Sequence, residues 1–125
     1  MKETVHSDRA PNPIGPYSQG IKANGFIFLS GQAALDPQSG QLISGDIRQQ
    51  TERTLENLKG VLEAAGANLN HVVKVTVFLK NLSDFSAMNE IYARYFPKLP
   101  PARSTVEAAR LPKDALVEID LIAVG

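Results

Sequence analysis

Cysteine is absent from the 125 residues, which excludes disulfides, thiolate nucleophiles and thiolate metal sites and fits a reducing compartment. Charge of one sign is also missing: thirteen basic residues balance thirteen acidic ones, leaving no global field to attract nucleic acid or an anionic membrane. No apolar run approaches membrane-spanning length, and Met1 to Arg9 carries charges without an apolar segment, so neither a spanning helix nor a secretory signal is expected. The expected location is the cytoplasm. Ser30-Gly31-Gln32 and Gly40 match neither a Walker loop nor a dinucleotide fingerprint, which disfavours nucleotide cofactors. His6 and His71 have no metal-ligand spacing, so no metal is expected. Ser18, Ser30 and Ser104 lack an identifiable histidine base, and none lies in a Gly-x-Ser-x-Gly elbow.

What is present suits one domain over residues 1–125, with 43% hydrophobic and 21% charged residues supplying a modest core. Glu3 to His6 reads as a short strand, followed by an extended loop punctuated by Pro11, Pro13 and Pro16. Gln19 to Ala23 and Phe26 to Ser30 flank Asn24-Gly25, a dipeptide suited to the positive φ angles of a tight hairpin turn. Asp46 with Gln49 three residues on predicts a capped helix start. Ile47, Thr51, Leu55, Leu58, Leu62 and Ala65 then form a stripe at helical spacing, stopped by Gly66. His71 to Leu79 reads as a buried strand in which Val73, Val75, Val77 and Leu79 alternate with Val72, Lys74, Thr76 and Phe78. Ser83 or Asp84 is expected to cap a second helix reaching Phe96, with Phe85, Met88, Ile91, Tyr92 and Tyr95 on its buried side. Two strands close the chain, Ala102 to Ala109 and Leu116 to Val124, separated by a turn at Arg110 to Asp114.

Two helices can cover one face of a sheet, and nothing remains for the other, although Phe78 and Ile122 make that face partly apolar. A homo-oligomer with closed symmetry is the expectation. If Val106 and Ala108 face inward, Arg103, Thr105 and Glu107 face the suspected subunit interface. There the planar guanidinium of Arg103 could anchor a small organic acid, or form only a structural ion pair. Glu118 and Asp120 lie two apart on one strand face, where they could serve acid/base chemistry or simply line an interface. Tyr17 in the proline-rich loop could close a pocket or act only as a packing lid.

Ile14-Gly15-Pro16-Tyr17-Ser18-Gln19, Ser30-Gly31-Gln32, Val75-Thr76-Val77-Phe78 and above all Pro101-Ala102-Arg103-Ser104-Thr105-Val106, Arg110-Leu111-Pro112 and Val117-Glu118-Ile119 together resemble the reactive-intermediate deaminase (Rid, or YjgF) family. The resemblance runs through nearly the whole chain. It implies an α+β, chorismate-mutase-like fold with a mixed sheet and two helices on one face, assembled as a homotrimeric barrel with clefts between subunits. It also implies hydrolysis of reactive 2-imino acids, such as those derived from 2-aminoacrylate and 2-aminocrotonate, to 2-keto acids and ammonia without a cofactor.

By that resemblance Arg103 binds the substrate carboxylate, the backbone from Arg103 through Ser104 to Thr105 helps hold the ligand, and Glu118 orients water on the same side of the site. Tyr17 corresponds to the loop tyrosine beside the ligand, Gly31 to a close backbone approach and Asn89 to a helix residue near the cleft. Thr105 stands where many relatives carry cysteine, so thiol chemistry does not transfer. A non-catalytic regulator or interaction protein that binds small carboxylates is the alternative function. Ribonuclease activity, attributed to some similar proteins, is disfavoured by the balanced charge and the lack of a His/His or His/Lys pair.

Overall fold

A computed structural model describes residues 1–125. Its strands are β1 (Glu3–Val5), β2 (Gly20–Ala23), β3 (Phe26–Gln32), β4 (Val72–Leu79), β5 (Ala102–Glu107) and β6 (Val117–Val124), and its helices are α1 (Ile47–Ala64) and α2 (Phe85–Tyr95). The strands form a single sheet in the order β1-β2-β3-β6-β4-β5, with β4 and β5 parallel and every other pair antiparallel. The mixed sheet and two helices expected from the sequence are therefore present.

Local chemistry accounts for the element boundaries. Asn24 and Gly25 adopt φ of 52° and 80°, which lets β2 turn directly into β3. Asp46 accepts from the Gln49 amide while the Gln49 side chain accepts from the Asp46 amide, satisfying free N–H groups at the start of α1. At the other end of α1, Gly66 takes φ 84°. The start of α2 differs from expectation: neither Ser83 nor Asp84 caps it through a side chain, and a 3₁₀ turn at Leu82–Asp84 leads in instead. A second 3₁₀ turn, Leu69–His71, precedes β4. There the His71 ring accepts from the Asn68 amide, a structural use of that histidine.

Both helices lie over one face of the sheet. Leu55, Leu58 and Leu62 of α1 and Met88 and Tyr92 of α2 pack with Val75, Val77, Leu79, Ile119 and Leu121 in one continuous core. The α1 stripe is wider than its apolar residues suggest, since Gln50, Thr54 and Asn57 are buried beside it.

Four expectations need correction. In β4 the alternation slips at its first residues, where Val72 is buried and Val73 exposed, because the pairing with β6 shifts between Val72 and Lys74. On α2, Phe85 is exposed rather than on the buried side. On β5, Val106 is not inward: it pairs with Phe78 on the uncovered face and is 45% exposed, while Arg103 pairs with the core residue Val75 and lies on the helix side. Strand β5 also stops at Glu107, two residues short of Ala109.

Candidate functional site

A cleft of about 350 Å³ opens at one end of the sheet. Asn12, Ile14 and Tyr17 from the proline-rich loop, Ser30 and Gly31 from β3, Lys113 from the turn after β5, and Glu118 from β6 line it. A bulge creates the wall. The pairing of β3 with β6 shifts between Leu29 and Gln32, so three steps on β3 oppose two on β6 and the Ser30-Gly31 backbone turns out of register. Glu118 lies directly over that backbone: a Cβ built on Gly31 would stand 2.7 Å from Glu118 Oε2 and 3.0 Å from its Cδ.

Buried polar side chains hold the other walls. Gln19, only 2% exposed, accepts from the Ser7 amide at 2.7 Å and donates to the carbonyls of Ser7, Ala10 and Pro11 at 3.1, 3.4 and 2.9 Å. It thereby clamps the stretch leading to Asn12. Asn57 of α1 donates to the carbonyls of Ala33 and Leu35, at 3.3 and 2.9 Å, which steadies the chain beyond the bulge. Gln50 accepts from the Leu116 amide at 2.9 Å, just ahead of Glu118. Ser30 donates to the Ser18 carbonyl at 2.6 Å, tying β3 to the loop that bears Tyr17. Tyr17 itself is 46% exposed, and its hydroxyl accepts from the Ile14 amide at 3.4 Å.

Partial burial pushes the Glu118 carboxyl above the ordinary glutamate range, and the nearby Asp120 charge pushes it further. Burial also raises Asp120, against the opposing pull of the Thr76 hydroxyl and the Lys74 ammonium. Such a carboxylate is a better proton acceptor than a solvated glutamate.

Arg103 belongs to a different constellation. Its Nη1 donates to Asn89 Oδ1 at 2.7 Å, and its guanidinium carbon lies 4.6 Å from the Tyr92 ring centroid and 5.5 Å from that of Phe85. Burial dominates in raising the Tyr92 phenol, with the guanidinium pulling the other way. Thr105 shares the Arg103 face of β5, and its hydroxyl is buried without a partner. Ser104 points to the opposite face, where it meets the Lys74 ammonium at 3.2 Å.

One chain therefore gathers Tyr17, Gly31 and Glu118 at one cleft, and gathers Asn89 of α2 with Arg103 and Thr105 of edge strand β5 at another place. The expectation that Arg103 and Glu118 share a side fails within the chain. Glu118 pairs with Phe78 on the uncovered face, whereas Arg103 pairs with Val75 on the helix face. Sequence reasoning also missed Lys113, which lines the cleft from a turn at φ 57°. Pro112 beside it was part of the C-terminal motif, but nothing in a lysine signals a left-handed backbone.

A six-stranded mixed sheet with two helices on one face, an acid over a side-chain-free strand position and an arginine fork on the edge strand define an α+β protein whose candidate site residues are divided between two regions. Residues 7–125 match the family model described as Endoribonuclease L-PSP, and the chain belongs to that family, which includes the Rid/YjgF proteins. It is 56% identical over 123 residues to a RutC family protein of Pyrococcus horikoshii, covering 98% of each chain. It is 44% identical to the 2-iminobutanoate/2-iminopropanoate deaminase of Mus musculus, covering 99% of this chain and 92% of that one. The crystal structure of the Escherichia coli YjgF gene product superposes with a TM-score of 0.93 at 42% identity, covering 98% of both chains. No helix is long and apolar enough to cross a membrane.

Proposed function

We propose that the protein hydrolyses small 2-imino acids to 2-keto acids and ammonia in the cytoplasm, at clefts formed between the subunits of a homotrimer. The observation that carries this reading is the Glu118 carboxylate, raised in basicity and held against Gly31 in a cleft of small-ligand size. The name of the mouse relative supports the substrate class.

In this reading Glu118 Oε accepts a proton from water as the water oxygen attacks the imine carbon. The carbon–nitrogen double bond becomes a single bond, giving a carbinolamine. With the imine entering protonated, return of the proton from Glu118 makes the nitrogen an ammonium leaving group, and as the carbonyl forms ammonia leaves and the hydroxyl proton passes to the Glu118 carboxylate. Tyr17 closes the loop side of the cleft, and the Gly31 backbone meets the ligand where no side chain intervenes.

The Arg103 fork from a neighbouring copy supplies the carboxylate anchor, because Arg103 and Glu118 of one chain face opposite ways. Asn89 orients that fork, and the backbone around Ser104 and Thr105 flanks it. Support for assembly comes from the sheet face that the helices leave uncovered, where Phe26, Phe28 and Val106 are 44%, 42% and 45% exposed.

The test is to generate 2-iminobutanoate in situ and follow keto-acid release, together with sedimentation equilibrium at micromolar protein. Faster release by a trimer supports the reading. A monomer, or a release rate equal to the uncatalysed one, overturns it. Binding of 2-oxobutanoate without turnover would identify a non-catalytic carboxylate-binding protein instead.

A further inference from the structure

Glu118 and Lys113 are the two formally charged residues among those lining the cleft. Lys113 is exposed, and its ammonium has neither an ion-pair nor a hydrogen-bond partner. Its backbone is the unusual part. Lys113 sits at φ 57°, ψ 22° and Asp114 follows at φ 56°, two consecutive left-handed residues that both carry a Cβ. This conformation costs any L-residue with a side chain stability, and persists only where the surroundings enforce it.

The surroundings do enforce it. The Asp114 amide donates to the Leu111 carbonyl at 3.1 Å, and the Ala115 amide to that of Pro112 at 3.2 Å. Arg110 donates to both Asp114 carboxylate oxygens, at 2.9 and 3.4 Å, and Leu111 and Ala115 are buried on either side. The turn is pinned at both ends, with a free cation at its crest beside the cleft. Glycine would adopt the same backbone without strain, so a lysine there retains a cost for which the turn itself has no need.

We propose that Lys113 is a specificity-determining residue that captures the carboxylate of an incoming 2-imino or 2-keto acid at the mouth of the cleft. The proposal rests on the function given above, and deepens it by adding a second cation to the site. Glu118 places a negative charge in the cleft and repels an approaching anion. Lys113 offsets that repulsion at the entrance, and leaves the bound carboxylate to the directional fork of Arg103. Its contribution is that of a solvated point charge: modest, sensitive to salt, and expressed in affinity rather than in the chemical step.

The experiment measures 2-oxobutanoate binding to the full-length protein by calorimetry at low and high salt, so it does not depend on turnover. Lys113→Ala is expected to weaken binding about threefold to fivefold at low ionic strength and to lose most of the salt dependence. Lys113→Arg should bind as wild type does. Lys113→Gly should bind as weakly as the alanine variant yet melt about 4 °C or more above wild type, because the left-handed strain is gone. With imine substrate at low salt, Lys113→Ala and Lys113→Gly should raise KM by a similar factor, and Lys113→Arg should not. Lys113→Ala binding as tightly as wild type at low salt, or arginine and alanine variants losing affinity equally, overturns the proposal. A wild type that binds the keto acid but does not hydrolyse the imine overturns the deaminase reading alone.

Discussion

The Glu118 carboxylate occupies the space that a side chain on Gly31 would need, with Oε2 2.7 Å from the position of a Cβ on that glycine. Alanine at position 31 must therefore displace the acid. Gly31→Ala is expected to lower kcat for imine hydrolysis by about a hundredfold, the lower end of what lost general-base assistance costs, because the carboxylate is displaced rather than removed. Introduced into Glu118→Gln it should add little, because both changes disable the same group. Kinetics of the double-mutant cycle check this; full additivity would separate the two residues.

Arg103 is held by Asn89 and lies over the Tyr92 ring, so its fork is pre-oriented. Removing a charge-assisted contact to a substrate carboxylate costs about 1.5–3 kcal/mol, so Arg103→Ala should reduce the preference for 2-iminobutanoate over its neutral amide by about tenfold to a hundredfold. Arg103→Lys should recover only part, since an ammonium cannot form the planar two-point clamp. Asn89→Ala should raise KM more than it lowers kcat. Ratios of kcat/KM on acid and amide decide the matter; an unchanged ratio in Arg103→Ala would make the residue purely structural.

Glu118 also leaves a signature in stability. Its folded-state carboxyl is raised above the ordinary value, first by burial and then by Asp120, so the folded protein holds this proton more tightly than the unfolded chain does. That contribution is present below the unfolded glutamate pKa and is lost as pH rises through the folded one. Glu118→Gln, which never ionises, should therefore gain melting temperature relative to wild type at neutral pH, and the gain should shrink under acid conditions. Thermal melts across pH test the sign, and a gain that grows toward acid would contradict the origin of the shift.

Gln19 satisfies one amide and three carbonyls of residues 7–11 from a buried position. Truncating it strands those groups, so Gln19→Ala should cost about 2–3 kcal/mol of unfolding free energy. KM should also rise, because the clamped stretch carries Pro11 and leads to Asn12, both at the cleft. Urea denaturation and steady-state kinetics give the two readouts; loss of stability without change in KM would confine Gln19 to the fold.

The features legible in the sequence are those set by short-range chemistry. Asn24-Gly25 specifies its turn because both residues tolerate positive φ, and Asp46 with Gln49 specifies a helix start because each side chain reaches the other's amide. The Leu55, Leu58, Leu62 stripe marks a buried helix face by spacing alone, and the C-terminal motif led to Arg103 and Glu118.

Tertiary structure decided which way those residues face. Alternation relates neighbours along a strand but does not say which side meets the helices, and β5 misleads, because its wholly polar face of Arg103, Thr105 and Glu107 is the one on the helix side. Pairing to β4 settles it, placing Arg103 beside Val75 and Val106 beside Phe78. The bulge at Ser30-Gly31 arises from register between strands nearly ninety residues apart in the chain, and the left-handed backbone of Lys113 is imposed by bonds across its turn. The bulge became visible only once distant strands had paired, and the turn only once its own hydrogen bonds had closed, because neither follows from the intrinsic preference of the residues that adopt it.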